Sequence, residues 1–433
     1  MTKKAPNTRP STGLTIRHQE LAANDNGNDT YVREVRADTP PDTHKNCEAK
    51  DSLMPQLKEK ELWLIDAPFG TIMHFVHVIV SLWHCVACGV RNIPSEVPIR
   101  YKQTRYTIGF RLEIAKALMV APPSVVAKLW GVSKHVIYET IDIFDALVME
   151  AWRNTPLPSI IEIDQVFIKS MAITNVVSWE TGLADSVLLG KEGLKDPEFV
   201  ERVRRSDVVI VVMDYGSEVV DLVRTIFPNS LIVIDPPHAI RAFRSRGLKW
   251  LRAKNIPARL AKAAGKRNNN AWKKSVETAF AAAKPSDELS EDARQARWLM
   301  LQIDEVADVY FAYHRFRELY LADRTPTQAK AYLDKWQAEM PQSARKVFRG
   351  QLVHLSQREI DVLAYFRWPR RDKNLPERLA RGFSSSATES LNNQQKTEYR
   401  RARGCSFKAL RRFTMWQHSP FGRIINAFKP PRV

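Results

Sequence analysis

The spacing of apolar and polar positions changes character several times along the chain, and each change predicts a different kind of structure. Residues 1–43 mix Asn, Asp, Thr, Pro and charged residues with little periodic hydrophobicity, which predicts a disordered arm that waits for a partner. Leu62 to Val90 read as short strands, with a Pro-Phe-Gly turn at 68–70 and a second turn around Cys85 to Gly89. Thr107 to Trp152 switch to helical spacing. At Ile160 β-branched apolar runs of strand length begin. They predict strands at 160–169, 172–179 and 184–190, a short helix near 195–204, strand 207–213, helix 217–227, strand 231–234 and a helix from 237. After Leu251 the pattern is wholly helical, with an Ala/Lys/Arg-rich stretch at 254–284, an amphipathic one at 291–321 and a third at 326–367 interrupted near Pro341.

Three strands followed by α/β alternation is the order of a ribonuclease-H-like fold. In that order Asp164, in IIEIDQVFIKS, falls midway on the first strand, and Asp214, in DVVIVVMDYGS, lies just beyond the fourth. The two carboxylates would then converge from neighbouring strands. The helical stretch reads either as an insertion that covers this site and contacts DNA or as an independent scaffold.

Within the helical segment, PPSVVAKLWGVSKHVIYETIDIF has the layout of a helix-turn-helix. Ala127 is small where two helices approach, Gly131 permits the turn, Val126, Val132 and Ile137 face inward, and Ser133 can cap the second helix, expected at about Ser133 to Ile141. Lys134, His135 and Tyr138 would then point outward into a DNA major groove. A purely structural helical hairpin is the alternative.

The composition turns attention to a polyanion. At 433 residues with 66 Lys+Arg against 48 Asp+Glu, the formal charge is +18, and nucleic acid is the partner such an excess suggests, rather than mere solubility. The excess is concentrated beyond Lys396, where Lys396, Arg400, Arg401 and Arg403 are interleaved with Tyr399, Phe407, Phe413 and Trp416. No uninterrupted apolar run reaches the ~18 residues of a membrane span. With its polar, charged N-terminus the chain is expected to be cytoplasmic, associated with the nucleoid, with no membrane partner.

Four cysteines are too few and too uneven for a disulfide framework. His44-Lys45-Asn46-Cys47 and Cys85-Val86-Ala87-Cys88 instead form two ligand pairs of the spacing that lets tight knuckles share one Zn²⁺, as in a zinc ribbon. An unmetallated relic and a redox pair are the other readings. Glu389, in SSSATESLNNQQK, opens a polar helical stretch and offers a third carboxylate beside Asp164 and Asp214. Oxygen ligands from separate elements suit two Mg²⁺ or Mn²⁺ ions acting at one phosphorus.

Four segments resemble a known family, the ISL3-type transposases of bacterial insertion sequences, within the DDE transposases. IIEIDQVFIKS looks like the family's first catalytic strand, with Gln165 where an acid usually follows the Asp. VVMDYGSEVVDLVRTIFPNSLIVIDPPHAIRAF resembles the second catalytic segment, and its Asp235-Pro236-Pro237-His238 matches a D-x-x-H signature. ATESLNNQQKTEYRRARGCSFKALRRF is similar to the closing motif, and the N-terminal half resembles the family's zinc-ribbon and helix-turn-helix arrangement. The resemblance implies that Asp164, Asp214 and Glu389 hold the metal, that His238 neighbours them in the active site, and that Asp235 supports them.

The expected protein is therefore multidomain, α/β plus α. It has a disordered arm at 1–43, a zinc-ribbon-like domain at 44–100 and a helix-turn-helix domain at 101–153. A ribonuclease-H-like core at 158–250, an all-helical insertion at 251–380 and a final helix with a basic segment at 381–433 complete it. Its expected function is to bind the terminal inverted repeats of an insertion sequence, as a homodimer on paired ends, and to cut the DNA ends and join them to target DNA. The alternatives are an inactive transposase-derived regulator and a structure-selective nuclease.

Overall fold

The structure, a computed structural model, describes residues 14–23, 29–38, 40–41, 52–69, 72–95, 97, 105–215, 219–282, 288–367, 383, 386–402 and 404–427. The chain divides into two compact units, Met1–Ala151 with Pro420–Val433, and Trp152–Ser419. Each has its own five-stranded sheet.

The first unit contains β1 (Leu14–Ala23), β2 (Asp29–Ala37), β3 (Leu53–Phe69), β4 (Ile72–Cys85) and β5 (Ile93–Pro94), in the order β1-β2-β4-β3 with β5 on β4. β3 and β4 form a long antiparallel hairpin, and β2 runs parallel to β4. Alternating valines bury one face: Val76, Val78 and Val80 of β4 cluster with Val35, Ala37 and Leu64. β1 and β2 correct the expectation of a disordered arm at 1–43. The period-two signal there is masked by charge, because Val35 and Ala37 are buried while Arg36 between them reaches Asp38 at 2.6 Å and Glu59 at 2.5 Å.

Three helices follow, α1 (Ile108–Val120), α2 (Pro123–Leu129) and α3 (Lys134–Asn154). Gly131 takes φ 61° in the turn between α2 and α3, a conformation that L side chains rarely adopt. Ser133 accepts the Val136 N–H at 3.4 Å, and Val126 and Ile137 are fully buried. The second helix of the pair is longer than expected, running to Asn154. Arg111 of α1, fully buried, donates to Glu139 at 2.6 Å and to Thr140 at 3.2 Å, which ties α1 to α3 through a cation that has no access to water.

The second unit is built on β6 (Ile160–Ile168), β7 (Met171–Ser178), β8 (Ala184–Leu189), β9 (Ile210–Met213) and β10 (Leu231–Ile234), in the order β10-β9-β6-β7-β8. β6, β7 and β8 are antiparallel neighbours, while β9 and β10 run parallel to β6. The crossovers that parallel pairing requires hold α4 (Pro197–Arg204) and α5 (Val220–Ile226). β9 leaves β6 at the pair Ile163↔Met213, whereas β6 continues beside β7 to Ile168↔Met171. Asp164 is the next residue of β6, and Asp214 follows the last residue of β9.

Helices α6 (Pro236–Ala253), α7 (Ile256–Ala263), α8 (Asn270–Ala281), α9 (Glu291–Leu301), α10 (Asp304–Glu318), α11 (Pro326–Ala338), α12 (Gln342–Gln357) and α13 (Glu359–Ala364) follow β10. The helix expected from 237 is α6, starting at Pro236, and Pro341 marks the break between α11 and α12 as expected. One buried cluster joins Ile210, Val212 and Val233 of the sheet to Phe243, Phe280, Phe316, Trp336 and Phe348 of the helices, so this region is not an independent scaffold. Phe243 stacks on Phe316 with centroids 4.1 Å apart. Gly247 makes room for Phe280, since a Cβ there would lie 2.5 Å from the ring. After the helical part, α14 (Ser386–Arg401) lies against β6 and β7, and α15 (Phe407–Gln417) lies against β8.

Candidate active site

Three elements converge where β9 leaves β6. β6 supplies Asp164, the end of β9 supplies Asp214, and the end of β10 leads through Asp235 into α6, whose first turns carry His238 and Arg241. Ligand-type atoms of Asp214, Asp235 and His238 all lie within 4.8 Å of one another. His238 Nδ1 is 2.7 Å from Asp214 Oδ2, and its Nε2 is 3.6 Å from Asp235 Oδ2 and 3.8 Å from Glu389 Oε1. Arg241 donates to Glu389 Oε1 at 3.0 Å. Asp214, Asp235 and Glu389 thus surround the His238 imidazole, and Asp164 lines the same cleft close enough to feel the Asp214 charge, although Glu389 comes from α14, far along the chain.

The electrostatics follow from crowding acids at the end of a sheet. Asp164 is pushed up to about 6, chiefly by burial and then by the Asp214 charge, against the hydrogen bonds of the Gln165 N–H and the Asn392 amide. Burial would lower His238, but its hydrogen bond to Asp214 and the charges of Asp214 and Asp235 outweigh that, so its pKa is raised. Asp214 Oδ1 is buried without a hydrogen-bond partner among the described residues. A buried carboxylate oxygen in that state is costly unless a cation or proton donor meets it.

Sequence reasoning missed the groups that hold the acids in place. Asn392 donates to Asp164 Oδ2 at 2.5 Å and accepts from Asn175 of β7 at 2.7 Å. Gln395, one turn on, exchanges two amide hydrogen bonds of 2.9 Å with Asn175. Glu162, two residues before Asp164 and buried, accepts from the Thr388 N–H at 3.1 Å and the Thr388 hydroxyl at 3.2 Å, fixing the first turn of α14 next to Glu389. The one available signal was Glu162 itself, an acid inside an apolar strand run, which requires a buried partner. Its partner, 226 positions away, has no local signature.

The other predicted residues fall elsewhere. Lys134, His135 and Tyr138 are exposed on the first turns of α3, and a small groove between α2 and α3 is bordered by Lys134 and Tyr138. On α14, Lys396 is half-buried and Arg400 and Arg401 are exposed, with Arg401 3.6 Å from Glu398. Cys85 closes β4 and Cys88 ends the following turn. The Cys85 thiol is lowered to about 6, first by the Ser52 hydroxyl 3.2 Å away and then, against burial, by the N–H groups of Cys88 and Ala87. His44, Cys47 and Arg403 lie outside the described residues. Among the described residues, no helix is long and apolar enough to cross a membrane.

Carboxylates gathered with a histidine at the carboxyl ends of parallel strands, with Asp214, Asp235 and His238 close enough to share one ion, make a candidate metal centre. A family model of ISL3-type DDE proteins, described as transposase, matches residues 162–415, and the chain belongs to that transposase family. The match begins at Glu162 and takes in Asp164, Asp214, His238 and Glu389. No curated protein matches the chain.

Proposed function

We propose that this transposase binds the terminal inverted repeats of an insertion sequence, cuts the DNA ends in a metal-dependent reaction and joins them to target DNA. The observation that carries the reading is the convergence of Asp164, Asp214 and Glu389 on His238 from β6, β9 and α14. The strand order β10-β9-β6-β7-β8, with only β9 and β10 parallel to β6, supports a ribonuclease-H-like core.

The donor set fits hard divalent cations. Asp164, Asp214 and Glu389 offer oxygens, and Asp214 Oδ1 is a buried oxygen in need of a partner. Mg²⁺ or Mn²⁺, as two ions held by these three residues, would supply an activated water or 3′-hydroxyl and stabilise the leaving oxygen. The chain's own groups do the rest. Asn392 and the Gln165 N–H each occupy one lone pair on a different oxygen of Asp164, which orients the carboxylate and leaves further lone pairs to bind. His238, with its raised pKa, sits beside Asp214 as a cation or proton donor for the scissile phosphate. Lys396 and Arg400, further along α14 than Asn392, suit flanking phosphates.

The first unit would supply recognition. Lys134, His135 and Tyr138, exposed at the start of α3, suit a major groove, and the turn from Cys85 to Cys88 aims N–H donors at one sulfur, which suits a Zn²⁺ ligand. Completing a tetrahedron with His44 and Cys47 is part of this proposal, as is a homodimer that holds two ends.

Incubating full-length protein with Mg²⁺ and a duplex carrying the terminal repeat tests it. Specific cutting is expected, with Asp164→Asn, Asp214→Asn and Glu389→Gln each abolishing it while mobility-shift binding persists. A shift without cleavage would point instead to a regulator, and cutting of duplexes that lack the repeat to a structure-selective nuclease.

A further inference from the structure

Beyond Ile163, β6 pairs with β7 alone among the described strands, and a cleft of about 530 Å³ opens beside this part of the strand. Its lining joins Asp164, Asp214 and His238 to side chains that the acid chemistry leaves unused, among them those of Gln165, Phe167 and Ser245. Phe167 stands out by its size and exposure. Strand alternation turns Val166 and Ile168 to the buried face and Phe167 to the other, where its ring is 67% exposed on the cleft side. Single exposed aromatics are common on protein surfaces, but this one borders the acid site.

The chemistry around the ring is specific. An apolar planar face stands with an amide at Gln165, an exposed hydroxyl at Ser245 and the Arg241 guanidinium, all lining the same cleft. A nucleobase carries a π-face, a hydrogen-bonding edge and an attached phosphate, and stacking on aromatic side chains is how single-stranded bases are held. The volume lies within the ~300–1,000 Å³ of sites for one small ligand, which suits a single nucleotide. A base still stacked within a duplex does not present its face.

We propose that this cleft receives one unpaired base of the DNA strand being cut, stacked on Phe167, with its edge toward Gln165 and Ser245 and its phosphate toward Arg241. The site would thus hold the reacting strand open beside Asp164 and Asp214, and stacking would offset part of the cost of unpairing. The inference rests on the reading that this centre cuts DNA. It adds a binding role for residues outside the acid cluster.

The test compares a fully paired terminal duplex with a forked duplex whose bases at the cut are already unpaired. Each is cut in Mg²⁺ by the full-length wild type, Phe167→Ala and Phe167→Trp. Phe167→Ala should cut the paired duplex on the order of 10-fold more slowly, as expected for loss of one base–aromatic stack. It should recover most of that loss on the forked duplex, while Phe167→Trp stays near wild type. Wild-type rates for Phe167→Ala on paired DNA, or an equal deficit on both duplexes, would overturn the subsite.

A second measurement is independent of cleavage. With Ca²⁺ in place of Mg²⁺, 2-aminopurine at the cut position of the paired duplex should brighten on adding wild-type protein and stay dim with Phe167→Ala. Failure of the wild type to cut either duplex would sink the cleavage reading alone. Absence of wild-type brightening would sink the subsite alone. Because the ring is exposed, Phe167→Ala should melt at the wild-type temperature.

Discussion

Asn392 Nδ2 stands 2.5 Å from Asp164 Oδ2, so the helix that delivers Glu389 also grips the first acid of the site. The same side chain is held by Asn175 at 2.7 Å, which makes Asn392 a rigid link between β7, β6 and α14. Replacing it with Ala removes the donor that steadies Asp164 against its neighbouring charge. Loss of such an outer hydrogen bond typically costs about 10–100-fold in metal affinity or activity. Titration of cleavage against Mn²⁺ should therefore show a higher metal requirement for Asn392→Ala than for wild type, and an unchanged titration would remove Asn392 from this role.

Glu162 is expected to act through Thr388. Glu162→Ala removes the carboxylate that accepts from the buried Thr388 N–H and hydroxyl, at a cost of roughly 1–3 kcal/mol, and loosens the turn that carries Glu389. Glu162→Gln keeps one acceptor oxygen and should be milder. In steady-state cleavage Glu162→Ala should lose kcat with KM for DNA nearly unchanged, because the contacts to flanking DNA remain. A matching fall from both variants would contradict this.

Gly247 marks the tightest approach between α6 and the helical core. A methyl group there would press on the Phe280 ring, whose side chain is fully buried among Val276, Tyr313 and other core residues and has little room to yield. Overpacking of this kind costs about 1–3 kcal/mol. Gly247→Ala should lower the unfolding free energy by that amount, read as a lower denaturant midpoint at unchanged m, and cleavage should fall as well, since α6 also carries His238 and Arg241. Equal stability would mean that the ring moves aside.

His314 gives an acid limit to the same core. Its Nε2–H donates to the Phe280 carbonyl at 2.9 Å, and burial lowers its pKa to about 4. The unfolded chain, with an ordinary histidine near 6.5, then takes up the proton first as pH falls, so between about 6.5 and 4 stability rises with pH. The contribution is complete above 6.5 and is lost toward pH 4, amounting to roughly 3 kcal/mol. Thermal melting from pH 7 to pH 4.5 should slope less steeply for His314→Gln than for wild type; parallel curves would exclude His314 as a source of the slope.

The sheet was legible because its signals are local. Runs such as Ile160 to Ile168 and Ile210 to Met213 are β-branched and of strand length, and Asp164 and Asp214 declare themselves as acids where such runs meet polar sequence. β2 was not legible, since Arg33, Glu34 and Arg36 hide its alternation in a charged background. The helix from 237 was legible too and is α6, but nothing local to it told that Arg241 in its first turns would meet Glu389 of α14. The supports of the site were least legible of all. Asn175 and Gln395 are 220 positions apart, and nothing in the neighbourhood of either predicts an amide pair buried in the protein.

That separation has a consequence for the order in which a ribosome makes the protein. A nascent chain that has emerged only as far as α13 already possesses Asp164, Asp214 and His238, but it lacks Glu389, the grip of Asn392 and the partner of Glu162. Domains generally organise from the N-terminal side during synthesis, so the sheet can form before the candidate site is complete. A polypeptide halted ahead of α14 would be able to fold much of that sheet and still lack the third carboxylate, and any chemistry that needs all three acids would wait until α14 has been made.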